Sequence, residues 1–230
     1  MPDVTLFVPM HDELESLEPF VRKALAVLSG VTPDFELLIV DDGSRDGSGE
    51  LAERLAQGDP RVRVARHERN LGYGRALRTG FAEARGDVVA YTDCDEPADL
   101  SLLPAALSLL AEPGVDMLVG YRLERDDGWR RRLYTWGYNA LLRALFGLRL
   151  RDVNFAFKLA HRAALDGLRL TAETGFVDGE LMLEAARLGR RVVELPVRFQ
   201  PRLHGRSHFD SPGPALATLR EVVRAWRARR

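Results

Sequence analysis

The chain has 230 residues, 46% hydrophobic and 29% charged, with a formal net charge of −1. This describes one globular domain, or one with a tail, and excludes a disordered chain or a surface that attracts nucleic acid over its whole extent. The single cysteine, Cys94, allows no internal disulfide and fits a reducing compartment.

The N-terminal MPDVTLFVPMHDELE turns acidic too early for a signal peptide, so no leader is expected. VTLFVP (4–9) then reads as a buried strand, 14–28 has helical spacing, and FELLIV (35–40) is a second strand. A helix is predicted over 46–56, with Ser44 or Asp46 as its N-cap. RVRVA (61–65) is a short strand, 74–84 a helix, 87–92 a strand, 100–110 a helix and 116–120 a strand. This alternation predicts a mostly parallel sheet covered on both faces. Further on, 129–146 reads as a long amphipathic helix, 153–160 (VNFAFKLA) as a strand, 178–188 as a helix and 192–199 as a strand. A loop over 200–214 precedes a basic helix over 215–229, with Leu216, Leu219, Val223 and Trp226 on one side. That helix could lie on an anionic membrane or dock onto a protein surface. No apolar run reaches the ~20 residues that span a bilayer.

In open parallel sheets, ligands bind beyond the carboxyl ends of the strands. Here those ends carry Pro9-Met10-His11-Asp12-Glu13, then Asp41-Asp42-Gly43-Ser44, then Asp93-Cys94-Asp95. Carboxylates brought that close repel unless something positive sits among them. A divalent cation suits Asp93 and Asp95, and hard oxygen ligands suit Mg²⁺ or Mn²⁺, which in turn suit a diphosphate. Asp42 and Glu13 could take the N–H and hydroxyl groups of a nucleoside. Each element also has an ordinary use: DDGS could be a turn with a helix cap, and Gly72 and Gly74 could serve a turn needing positive φ.

IVDDGSRDGS (39–48), NLGYGRALRTGF (70–81) and YTDCD (91–95) together resemble the family 2 glycosyltransferases. VPMHDELESL (8–17) is similar to that family's Pro-x-x-Asn-Glu opening, with Asp12 in place of Asn. The second half, through VGYRLERDD (119–127), RDVNFAFKLAHR (151–162), the segment 176–199 and RLHGRSH (202–208), resembles the polyprenyl-phosphate branch that includes dolichyl-phosphate mannose synthases. The resemblance implies a GT-A fold, a Rossmann-like three-layer α/β sandwich around a mostly parallel sheet. It implies one such domain over 1–210, with a nucleotide-sugar half (1–120) and an acceptor half (121–210), followed by the basic helix (211–230).

The implied reaction is inverting transfer of a hexose from a GDP-mannose or UDP-glucose type donor to a polyprenyl or dolichyl phosphate. Pro9, His11, Glu13, Val40 and Asp42 would hold the nucleoside. Asp93, Cys94 and Asp95 would hold ribose, diphosphate and metal. Arg122, Arg202 and His208 would face the phosphates, because arginine forks match phosphate oxygens and offset charge on the departing diphosphate. Asp95, Arg122 and Glu180 are the expected catalytic residues. A phosphate nucleophile is already ionised; a hydroxyl acceptor would need a base, with Asp178 or Glu180 as candidates. Arg130, Arg131 and Arg132 could receive the acceptor phosphate or form a solvated face. Trp129, Trp136 and Tyr138 could line an acceptor groove or pack in the core. Asp152 and Asn154 are expected to brace a loop.

Two residues depart from the family pattern. Pro97 stands where Gln usually adds a metal-side ligand, which leaves metal dependence open. His208 stands where Lys is usual; if it carries that role, activity falls as pH rises past about 6.5. A lipid acceptor would require peripheral binding at the inner face of the cell membrane or a separate membrane subunit. The alternatives are a family 2 enzyme with a soluble saccharide or small-molecule acceptor, and a non-catalytic nucleotide-sugar-binding protein.

Overall fold

The computed structural model describes residues 2–95, 98–123, 128–198 and 212–229, with side chains left out at 128–131 and 212. Seven strands form one sheet: β1 (Val4–Met10), β2 (Phe35–Asp41), β3 (Val62–Arg66), β4 (Val88–Thr92), β5 (Met117–Arg122), β6 (Phe157–His161) and β7 (Val192–Val197). Their order is β3-β2-β1-β4-β6-β5-β7. β6 is antiparallel to β4 and β5, and every other pairing is parallel. The carboxyl ends of β1, β2, β3, β4, β5 and β7 therefore share one edge, and the segment leading into β6 enters there.

β1 and β2 are buried along their whole length, which is why both read as continuous apolar runs rather than alternating ones. One face packs against α1 (Leu14–Ser29), α2 (Ser48–Gly58) and α4 (Leu103–Leu110), through Leu17, Phe20, Ala52 and Leu103. The other packs against α3 (Tyr73–Glu83), α5 (Gly128–Phe146), the short α6 (Arg162–Leu165), α7 (Phe176–Arg187) and α8 (Pro212–Ala228), through Leu77, Leu142, Ala164, Leu181 and Val222. The result is the expected three-layer α/β sandwich.

Three expectations need correction. Neither Ser44 nor Asp46 is the cap residue of α2; Gly47 occupies that position at φ +96°. Asp46 still accepts from Ser48 N and from Leu14 N, and Ser44 accepts from Asp12 N. The strand expected over 153–160 begins only at Phe157, because Phe155 O turns to meet Lys158 Nζ at 2.8 Å. The C-terminal helix docks through Thr218, Val222 and Ala225, leaving Leu216 and Leu219 exposed. No helix among the described residues is long and apolar enough to cross a membrane.

Candidate active site

The β1 and β2 ends are stitched together. Asp12 has φ +55°, a left-handed conformation that Asp and Asn tolerate better than most residues. Its Oδ1 accepts from Arg45 N at 2.8 Å, and its own N–H donates to Ser44 Oγ at 3.0 Å. Asp41 accepts from Ser44 N at 2.9 Å and lies 3.0 Å from Arg66 Nε. Asp42 accepts from Leu71 N, Gly72 N and His67 Nδ1 at 2.9, 2.8 and 2.7 Å. His67 is held in turn by Thr79 Oγ1 at 2.9 Å. Gly43 is required here: φ is +71°, and a Cβ would sit 2.3 Å from the Arg69 carbonyl carbon.

These contacts refine the expected nucleoside set. Asp42 is almost sealed and commits its carboxylate to the 67–72 loop. Val40 lies fully in the core and offers a ligand no side-chain surface. Pro9 pairs with Val40 in the sheet and is buried too. His11 and Glu13 are half-buried on the loop leaving β1, with His11 Nε2 3.6 Å from Asp12. Gly72 has the expected positive φ, +93°; Gly74 instead permits close approach, since a Cβ there would meet Ala172 O at 2.4 Å.

The β4 end is different. Tyr91 and Asp93 share a face by strand alternation, whereas the Cys94 side chain is buried in the opposite core layer. Asp93 and Asp95 are half-buried. Asp93 Oδ1 accepts from the Tyr73 hydroxyl at 3.2 Å. Burial, then the charges of Asp95 and Asp178, holds the Asp93 carboxyl well above the usual carboxylate range, and Tyr73 and Lys158 oppose this. Burial and the charges of Asp93 and Asp178 push the Tyr73 and Tyr91 hydroxyls further up, so both remain donors.

Beneath this end lies a buried network. Lys158 Nζ meets Asp178 Oδ1 at 2.6 Å, Phe155 O at 2.8 Å and the Tyr91 hydroxyl at 3.0 Å, and Tyr91 donates to Asp178. Neither Lys158 nor Tyr73 was among the expected site residues. FAFKLA carried one signal for Lys158, a lysine between two alanines on what becomes a core face.

Arg122, at the end of β5, is gripped by Asp152 through Nε–Oδ2 at 2.6 Å and Nη2–Oδ1 at 3.1 Å. Asp152 thus braces a guanidinium as well as a loop. Glu180 accepts from Thr171 N and Oγ1, both at 2.7 Å, and from Ala172 N at 2.8 Å. Asp178 is 2% exposed. Beside Arg122, a cavity of about 210 Å³ is lined by Tyr121, Trp136, Arg143, Leu150 and Arg151 among others. Trp136 is exposed there, whereas Tyr138 packs in the core. Arg202, His208 and Pro97 lie outside the described residues, as do the side chains of Trp129, Arg130 and Arg131.

The sequence match decides the family. The profile of glycosyl transferase family 2 matches residues 5–168. The chain belongs to this family. It is 32% identical to glycosyltransferase AglD of Haloferax volcanii, over 97% of this chain and 37% of that protein. It is 28% identical to the dodecaprenyl-phosphate galacturonate synthase of Rhizobium johnstonii, over 90% of this chain and 62% of that protein. The chain therefore spans only part of the length of these relatives. Among solved structures, the Pyrobaculum calidifontis mannosyltransferase PcManGT with GDP-Man and Mn²⁺ superposes with a TM-score of 0.68 at 21% identity, covering 97% of this chain and 64% of that one. The Mycobacterium tuberculosis glucosyl-3-phosphoglycerate synthase with Mn²⁺, UDP and phosphoglyceric acid gives 0.73 at 22% identity, covering 96% and 78%. The fold is GT-A.

Proposed function

We propose that this chain transfers a sugar from a nucleoside diphosphate to a phosphate-bearing acceptor, and that the acceptor is a polyprenyl phosphate. The observation that carries this is the state of the two candidate bases. Asp178 is buried against Lys158 and Tyr91, and Glu180 is occupied by three donors from Thr171 and Ala172. A hydroxyl acceptor would need a free base within hydrogen-bond reach. A phosphate acceptor arrives ionised and needs none. The Rhizobium relative, whose name specifies a dodecaprenyl phosphate, supports the lipid.

Among the described residues no cluster of three or more His, Cys, Asp or Glu could hold a metal alone. Two crowded carboxylates at the end of β4 nevertheless fit a cation that diphosphate oxygens and water complete. Asp93 and Asp95 would hold Mg²⁺ or Mn²⁺, which supplies charge neutralisation for the departing diphosphate. The phenol of Tyr73 orients Asp93. Arg122, pinned by Asp152, would bring its positive charge to the phosphates from the end of β5. Pro9, His11 and Glu13 border the nucleoside, on the loop that Asp42 and Ser44 stabilise. Arg202 and His208 would add cations at the phosphates.

The test is a transfer assay with radiolabelled GDP-mannose, UDP-glucose and UDP-galacturonate, each with Mn²⁺ and vesicles containing polyprenyl phosphate. Label entering the lipid supports the reading. Label entering only phosphoglycerate or free saccharide moves the acceptor to a soluble one. Absence of transfer, together with absence of nucleotide binding, defeats the reading.

A further inference from the structure

Lys158 lies on β6, the antiparallel strand, in register with Tyr91 of β4 and Val119 of β5. It is 2% exposed. An ammonium has three N–H groups, and all three have partners: α7 through Asp178, the segment entering β6 through Phe155 O, and β4 through Tyr91. Burying such a pair carries a desolvation penalty, and apolar residues of similar volume are often as stable or more so. Stability alone therefore gives little reason for a lysine here.

The partners suggest another reason. Tyr91 lies two residues before Asp93 on the same strand face. Phe155 lies three residues after Asp152, which grips Arg122. One buried ammonium thus ties the strand end bearing Asp93 and Asp95 to the segment that sets Arg122. It also brings positive charge to a place where Asp93, Asp95 and Asp178 crowd together.

We propose that Lys158 is a positioning residue for the transfer reaction, fixing the separation between the Asp93–Asp95 strand end and the Arg122 guanidinium. This rests on the glycosyl-transfer reading. Lys158 touches neither substrate. It acts through Tyr91 and Phe155, in the way that outer groups behind metal ligands tune affinity and rate.

Lys158→Met alone strands Asp178 as a buried charge and can prevent folding. The decisive variant combines Tyr91→Phe, Lys158→Met and Asp178→Leu, which turns the network apolar. The expected result is a folded protein with Tm within about 5 °C of wild type. Its affinity for a nucleoside diphosphate with Mn²⁺, measured by calorimetry against UDP, GDP and dTDP, drops about 10–100-fold, and kcat falls more than KM rises. A folded variant with wild-type affinity and kcat overturns the proposal and leaves Lys158 as a brace for the fold. If the triple variant does not fold, Lys158→Arg decides. Its larger cation keeps the ion pair but cannot serve three partners at ammonium distances, so kcat drops about tenfold; wild-type kcat overturns the proposal. Wild-type protein that binds none of the three nucleotides defeats the glycosyl-transfer reading and this proposal together. Wild-type binding with unchanged variants defeats this proposal alone.

Discussion

At the end of β2, Asp42 is nearly sealed and accepts from two backbone N–H groups and His67; at the end of β4, among the described residues, Asp93 accepts one hydrogen bond, from a phenol 3.2 Å away. Both are aspartates on the same edge of the same sheet. The first pair of acidic residues, Asp41 and Asp42, is used by the fold to tie loops together. At the second, Asp93 is left short of donors and beside other carboxylates, so it keeps an affinity for positive charge. Crowded, under-satisfied acids cost stability and are retained where chemistry needs them.

The comparison breaks most visibly if Asp93 is replaced. Asp93→Asn is expected to lower transfer activity at least ~1,000-fold, about 4 kcal/mol in the barrier, and to abolish Mn²⁺-dependent nucleotide binding. It should also raise Tm without ligand, because it relieves repulsion. A variant with more than a tenth of wild-type activity would place the metal elsewhere.

Asp42→Ala should do the reverse. It strands two backbone N–H groups and His67, costing about 2–4 kcal/mol and lowering Tm by several degrees. Gly43→Ala should cost about 2–3 kcal/mol by forcing a side chain into left-handed backbone against Arg69. Denaturant melts of both, beside Asp93→Asn, check the contrast; an Asp42 variant as stable as wild type would erase it.

A pH series sharpens it. The Asp93 carboxyl is raised in the folded state above its ordinary 3.8. Between those two values the folded protein holds a proton that the unfolded chain has lost, so the Asp93 contribution to stability falls as pH rises through that window. Asp93→Asn should flatten this part of the ligand-free stability profile. Added Mn²⁺ should flatten it too, and more strongly at higher pH. Identical wild-type and variant profiles would remove the crowding argument.

The smallest effect is expected at Glu180. If it braces Thr171 and Ala172, Glu180→Gln keeps acceptor capacity at one oxygen and changes kcat less than about threefold. A hundredfold loss with an unchanged Tm would make it the base and turn the acceptor into a hydroxyl.

Much of this protein could be read in its chain order. Continuous apolar runs marked β1 and β2, strand–helix alternation gave the layered sheet, and acidic residues after three strands marked the edge that carries the candidate site. FAFKLA was less legible. Its alternation is correct for a strand, but nothing local says that the strand runs antiparallel between β4 and β5, or that its lysine is buried. The C-terminal helix misled for a similar reason. Its apolar stripe through Leu216 and Leu219 stands out by period, yet the surface that docks is Thr218, Val222 and Ala225.

Local patterns act over a few residues, so the sequence by itself determined the elements, the shared edge and the family. Which acids are committed to the fold and which are left short of donors was decided only in three dimensions. Asp42 meets Gly72 across 30 positions, Lys158 meets Tyr91 across 67, and Tyr91 meets Asp178 across 87. A carboxylate's chemistry depends on the donors and charges within a few ångströms, and for these residues the chain supplies those neighbours only after it has folded.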